Sequence, residues 1–172
     1  YTETHFSAIH YAVINNSIEI VKCLVNKGAK IDLKTKYKGI TPIHIAANNG
    51  YIEILSIFLK KIKGISSIKT KNKQTALFYA VKSSLLASKL ILNQENLKDD
   101  YDNENNNAIY YSLLYGRYDI YQLCKLKNFK IISDNPLIDI LKKPFYIQNA
   151  EEIIHNDLDF DILIKELCNL IK

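Results

Sequence analysis

From Thr41 onward the chain alternates apolar and polar positions with a helical beat. Ile43, Ala46 and Ala47 share one face of a short helix. Asn48, Asn49 and Gly50 interrupt it, and Ile52, Ile54, Leu55, Phe58 and Leu59 begin a second helix. Thr41 is a good N-cap residue, and Pro42 fits the first helical position, where its missing N–H costs nothing. Gly50 stands where a left-handed residue commonly ends a helix. A polar stretch with turn residues, Thr35 to Gly39, precedes the pair and predicts a loop. Small alanines on the first helix let a neighbouring helix approach closely.

The pattern recurs. Ser7-Ala8-Ile9-His10-Tyr11-Ala12, Thr41-Pro42-Ile43-His44-Ile45-Ala46, Thr75-Ala76-Leu77-Phe78-Tyr79-Ala80 and Asn107-Ala108-Ile109-Tyr110-Tyr111-Ser112 start 34, 34 and 32 residues apart. A period near 33 with the pattern T-P-L-H-x-A is a repeat signature, and the second copy departs from it only by Ile for Leu. Asn16 takes the place of Gly50 in the first copy, as the next best residue for positive φ. Ser84 takes it in the third.

On these residues the chain resembles the ankyrin-repeat family over about residues 2–126. The second repeat matches closely, the first well, and the third and fourth are degenerate. The resemblance implies an all-α ankyrin-repeat solenoid, in which helix-turn-helix repeats carry projecting hairpin loops. Four repeats are expected at residues 1–127 (about 2–34, 35–68, 69–101 and 102–127). A degenerate fifth repeat and a C-terminal helical cap are expected at 128–172, where Pro136 opens one helix. Leu158, Ile162, Leu163, Leu167 and Leu170 share a face of the last. Such a pair cannot bury its apolar face alone, so stacked neighbours must share one core. The chain begins inside the first repeat's loop and contains no Met. Further repeats or another domain are therefore expected before Tyr1.

Composition narrows the function. No apolar run of eighteen residues is present, so no transmembrane segment is expected, and the start lacks a secretory signal. Cys23, Cys124 and Cys168 are too few and too widely spaced for a disulfide framework or a metal site. Their apolar helical settings read as reduced core positions of an intracellular, cytoplasmic protein. The net charge of +5 is carried by lysine, with Arg117 the one arginine. The lysines read as spread through the chain with acids among them. That is a solvated surface rather than a nucleic-acid footprint, although Lys34, Lys36 and Lys38 cluster.

The sequence holds no catalytic motif, no phosphate-cradling loop and no metal-ligand spacing, so no catalytic residue, metal or cofactor is assigned. Asp157, Asp159 and Asp161 alternate like a calcium loop but lack its central glycine and its final glutamate. In the family, the histidine at the place of His10 and His44 makes structural hydrogen bonds. Phe78 and Tyr110 replace it later, which points to apolar packing there.

What remains is a surface. The family binds protein partners with its loop tips and the exposed side of the first helices. The resemblance places loop positions at Tyr37, Lys38 and Ile40, at Lys71, Asn72 and Gln74, and at Asn103, Glu104 and Asn106. It places helix positions at Asn48, Asn49, Lys82 and Tyr115. Tyr37 and Ile40 stand out as apolar groups at an expected exposed tip. The column Tyr11, Ile45, Tyr79 and Tyr111 reads as semi-buried packing between repeats. The expected function is a protein-interaction module presenting a concave surface to another protein, with no small-molecule substrate. By analogy, that partner is a host factor if the parent is a parasite, intracellular microbe or virus. The rival readings are a substrate-recruiting region of a larger enzyme and a lysine-mediated binder of nucleic acid or anionic membrane.

Overall fold

A computed structural model describes residues 6–95 and 97–130. These lie in the first of two units into which the chain divides, Tyr1–Lys130 and Ile131–Lys172. The expected fifth repeat and helical cap, with Cys168 and the Asp157 to Asp161 run, fall outside the described residues apart from 128–130. Among the described residues the fold is all-α, as the sequence pattern requires. Its helices are α1 (Ala8–Ile14), α2 (Ile18–Asn26), α3 (Pro42–Asn49), α4 (Ile52–Lys61), α5 (Ala76–Ser83), α6 (Leu85–Leu92), α7 (Ala108–Leu114) and α8 (Tyr118–Leu126), with a 3-10 turn at Ile65–Ser67.

The helices form two rows. α1, α3, α5 and α7 contact one another in succession, α2, α4, α6 and α8 do the same, and each odd helix also packs on the even helix that follows it. The shared core is continuous across these contacts. Ile9, Val13, Ile43, Ala46, Ala47, Leu77, Ala80, Val81 and Ile109 fill it from the first row, and Val21, Ile54, Leu55, Phe58, Ile91 and Ile120 from the second. Ala46 and Ala47 in α3 and Ala76 and Ala80 in α5 are fully buried. Their small side chains let these two helices approach as closely as the sequence implied. Burying a side chain such as Phe58 contributes about 2–3 kcal/mol of transfer free energy.

Three of the four helix pairs turn alike. Asn16, Gly50 and Gly116 take positive φ. The following N–H reaches back to a carbonyl five residues earlier, from Ser17 to Ala12, Tyr51 to Ala46 and Arg117 to Ser112. The third pair differs from expectation. Ser84 is extended, with φ −151°, and serves at once as the end of α5 and the N-cap of α6. Its hydroxyl accepts from the Ala87 N–H at 3.2 Å. Serine does not favour the left-handed region but caps well, so this joint is shortened to a single residue. A Cβ on Gly50 would meet the Ser84 Cβ at 3.0 Å, so position 50 needs glycine for contact as well as for φ.

One core assignment is corrected. Cys124 is buried, but Cys23 is an exposed free thiol. In α2 the buried positions are Val21 and Val25, and Cys23 lies between them on the other side of the helix.

Candidate partner-binding surface

The first helices are held at their N-termini by the motif residues. The His10 and His44 rings each accept from the backbone N–H of their N-cap residue, Ser7 and Thr41, at 3.2 Å. The Ser7 and Thr41 hydroxyls stand 2.8 and 2.7 Å from the same Nδ1 atoms. With Nδ1 accepting, the other ring nitrogen carries the proton. His10 Nε2 meets the Ile40 carbonyl at 3.4 Å, and His44 Nε2 meets the Gln74 carbonyl at 3.3 Å. Each histidine thereby ties one repeat to the loop of the next. Burial lowers both imidazole pKa values, that of His44 to about 4.

The degenerate repeats solve this differently. Phe78 is buried and meets the Tyr111 ring edge-on at a centroid distance of 5.5 Å. Tyr110 also packs edge-on against Tyr111. In the fourth repeat the inter-repeat bond passes to the N-cap residue. Asn107 accepts from the Tyr110 N–H at 3.1 Å, while its amide donates to the Lys130 carbonyl at 2.7 Å and to Asp99 at 2.9 Å. Asn can do both because it carries a donor and an acceptor on one side chain.

The three loops share one fastening. Thr35, Thr70 and Asp102 are buried at their bases. The backbone N–H of each donates to the carbonyl of Ile40, Gln74 or Asn106, all at 2.9 Å. The side-chain oxygen of each accepts the N–H of that same residue, at 3.0, 3.2 and 2.9 Å. One residue before each partner the backbone has positive φ, at Gly39, Lys73 and Asn105. The loops are also laced to one another. The Lys71 N–H donates to the Lys38 carbonyl at 3.0 Å and the Asn103 N–H to the Asn72 carbonyl at 3.1 Å. Lys34 Nζ donates to the Lys69 carbonyl at 2.7 Å. The tips form one edge rather than independent fingers.

The sequence-derived positions fall on this edge and on the first-helix row. Lys38, Lys71, Asn72, Asn103 and Glu104 are exposed, and Tyr37 is 70% exposed. Asn48, Asn49, Lys82 and Tyr115 are exposed on α3, α5 and just past α7. Ile40 is corrected: it is half-buried, as are Gln74 and Asn106, because all three close the loop bases, and the carbonyls of Ile40 and Gln74 also receive the histidine bonds. The column is half-buried at Ile45, Tyr79 and Tyr111, whereas Tyr11 is exposed. Ile14 was missed. It is exposed on α1, seven residues after its N-cap, in register with Asn48 and Lys82, and that register was the available signal.

The charge reading is also corrected. Between residues 33 and 94 stand eleven lysines and a single acid, Glu53. Glu53 is itself engaged by Lys22 at 3.1 Å. The acids gather around the loop of the fourth repeat, at Asp102, where Asp100 pairs with Lys69 at 2.6 Å. The even scatter read from the whole chain averaged two regions of opposite sign. Among the described residues no cluster of three or more His, Cys, Asp or Glu side chains is placed to hold a metal, and no helix is long and apolar enough to cross a membrane.

Residues 2–67 match the family model for ankyrin repeats (3 copies). An ankyrin repeat protein of Rickettsia felis is 29% identical over 163 residues, which cover 87% of this chain and 37% of that protein. One from Acanthamoeba polyphaga mimivirus is 31% identical over 62% of this chain and 14% of its own length. NF-kappa-B inhibitor zeta of Mus musculus is 28% identical over 45% of this chain and 11% of its own. The chain thus spans about a third or less of each of these relatives. The family match over residues 2–67, the four stacked helix pairs and these relatives together support an ankyrin-repeat family protein.

Proposed function

We propose that the chain is a non-catalytic interaction module that captures a partner protein with its laced loop edge and the exposed side of α1, α3, α5 and α7. One observation carries this reading: the backbone bonds from Lys71 to Lys38 and from Asn103 to Asn72, which hold exposed side chains of three repeats in fixed positions. A preset surface loses little entropy on binding. Tyr37, exposed at the edge, is of a residue type enriched at interface anchors. The name of the mouse relative, an NF-kappa-B inhibitor, supports a protein as the kind of partner. Relatives in Rickettsia and in a giant virus support a host protein in particular. The free thiols Cys23 and Cys124 support a reducing, cytoplasmic setting. The same reading assigns four repeats to 1–127, and a degenerate repeat with a C-terminal helical cap to 128–172.

The test compares the wild type with Tyr37→Ser/Asn49→Arg/Lys82→Glu as baits in host-cell extract, with capture read by quantitative mass spectrometry. All three side chains are exposed, so the variant keeps its fold by circular dichroism. A partner retained by the wild type and lost at least tenfold by the variant supports the assigned surface. Equal capture by the two baits removes it.

A further inference from the structure

The edge formed by the loops of the second and third repeats, at Thr35 and Thr70, is cationic. Lys36, Lys38, Lys71 and Lys73 are all exposed. Among the described residues none of the four joins an ion pair. The bond from the Lys71 N–H to the Lys38 carbonyl fixes the two loops side by side, so four cations and Tyr37 crowd one short edge. Lys36 Nζ lies over the Tyr37 ring, 5.9 Å from its centre, a cation–π contact that is weak at so exposed a site. Among the described residues no acid is ion-paired with this cluster, and the nearby Glu53 and Asp100 are engaged by Lys22 and Lys69.

Resting on the protein-binding reading, we infer that this edge is the docking site for an acidic peptide segment of the partner, with carboxylates on the lysines of both loops and an apolar group against Tyr37. Charge complementarity selects the occupant. The extent of the patch selects its length. The next loop carries exposed Glu104, and its Asn103 amide is bonded to the Lys71 carbonyl at 3.3 Å. The cationic span therefore stops after two loops. A continuous polyanion running along the loops would meet Glu104, whereas a short acidic segment ends before it. Lysine supplies point charges without the planar fork of arginine, which suits carboxylates presented singly along a peptide.

The test uses the full chain and a fluorescein-labelled dodecapeptide of alternating Glu and Ala, with anisotropy as the readout at low salt. Binding is expected, with a fall of at least tenfold in Lys36→Gln/Lys38→Gln/Lys71→Gln/Lys73→Gln. Lys60→Gln/Lys61→Gln/Lys63→Gln removes charge elsewhere and is expected to change binding less than twofold. An equal fall in both variants overturns the site, because charge alone then explains the binding. Tighter binding of a labelled dodecathymidylate or of phosphatidylserine vesicles than of the peptide overturns the choice of occupant. No binding of the peptide, with a partner still captured by the wild-type bait, ends this inference and leaves the interaction module standing. Loss of both ends both.

Discussion

The phenol of Tyr111 donates to Asp102 Oδ2 at 2.7 Å, joining α7 to the base of its own loop. The other carboxylate oxygen accepts the N–H groups of Glu104 and Asn106, both at 2.9 Å. Gln74 from the preceding repeat donates to the Tyr111 hydroxyl at 3.2 Å. Burial and the bond to Asp102 both raise the Tyr111 pKa, so the phenol stays a donor through the physiological range. Tyr111→Phe removes one bond to a charged acceptor at a half-buried site and is expected to cost about 1 kcal/mol. Asp102→Ala also frees two backbone donors and is expected to cost about 2–3 kcal/mol. The two should couple by about 1 kcal/mol in a double-mutant cycle read by urea unfolding. Strict additivity would show that the bond contributes nothing in solution.

The loop tips give a second prediction with opposite signs at equivalent places. Gly39 has φ +65°, and a Cβ there would meet the Lys71 backbone nitrogen at 3.1 Å. Gly39→Ala is expected to destabilise by about 1–2 kcal/mol, through both the left-handed backbone and the pressure on the inter-loop bond. Lys73 holds φ +59° with a full side chain. Lys73→Gly relieves that strain and is expected to stabilise by about 0.5 kcal/mol after the unfolded chain's added entropy is subtracted. Denaturation midpoints decide both; a loss on Lys73→Gly would mean that its side chain makes a stabilising contact.

Much of the fold was legible because the second repeat keeps every local rule at once. Thr41 caps, Pro42 starts, His44 bonds across and Gly50 stops. The fourth repeat hid its logic because its function moved between positions: the inter-repeat bond made by His44 is made by Asn107, a residue that motif comparison reads only as a cap. Ser84 was misread because a serine between helices can end one or start the next, and only its extended backbone and the bond it accepts from the Ala87 N–H show that it does both. Of the candidate surface, exposure was legible at Tyr37 and along the helix register. Closure of the loop bases leaves no trace in the residue types of Ile40, Gln74 and Asn106, which take part through their backbone; its signal lies in the oxygen-bearing side chains of Thr35, Thr70 and Asp102. The charge segregation was present in the sequence all along, and a count over the whole chain concealed it.

The shared core makes a third prediction. Ile43 has no exposed surface and stands where α3 meets both of its neighbours in the first row. Ile43→Asp places an unpaired carboxylate there, and the cost of several kcal/mol approaches the whole stability of a domain of this size. Loss of cooperative unfolding in urea is expected. Phe58→Ala, by comparison, leaves a cavity and is expected to cost about 3–5 kcal/mol while keeping the fold. A native-like Ile43→Asp would mean that the repeats do not depend on one core.

Acid should weaken the stack through His44. Burial is the largest cause of its depressed pKa, with the charge of Lys34 adding to it and the carbonyls of Gln74 and Ile68 opposing it. The folded value is about 4 against 6.5 in the unfolded chain, so the unfolded state binds the proton first as pH falls. Stability from the neutral ring is complete above about pH 6.5, falls between there and about pH 4, and changes no further below. Two and a half pKa units correspond to about 3 kcal/mol at 25 °C. Carboxylates also titrate at the acid end of this window, so the wild type alone cannot isolate the ring. His44→Phe, which copies the residue found at Phe78, removes the titration. It leaves the Gln74 carbonyl without its long bond and lowers stability at pH 7.5. Between pH 7.5 and 4.5 the wild type should nevertheless lose about 2–3 kcal/mol more than His44→Phe in urea unfolding. Parallel pH profiles for the two proteins would show that the imidazole is not buried as a neutral link between repeats.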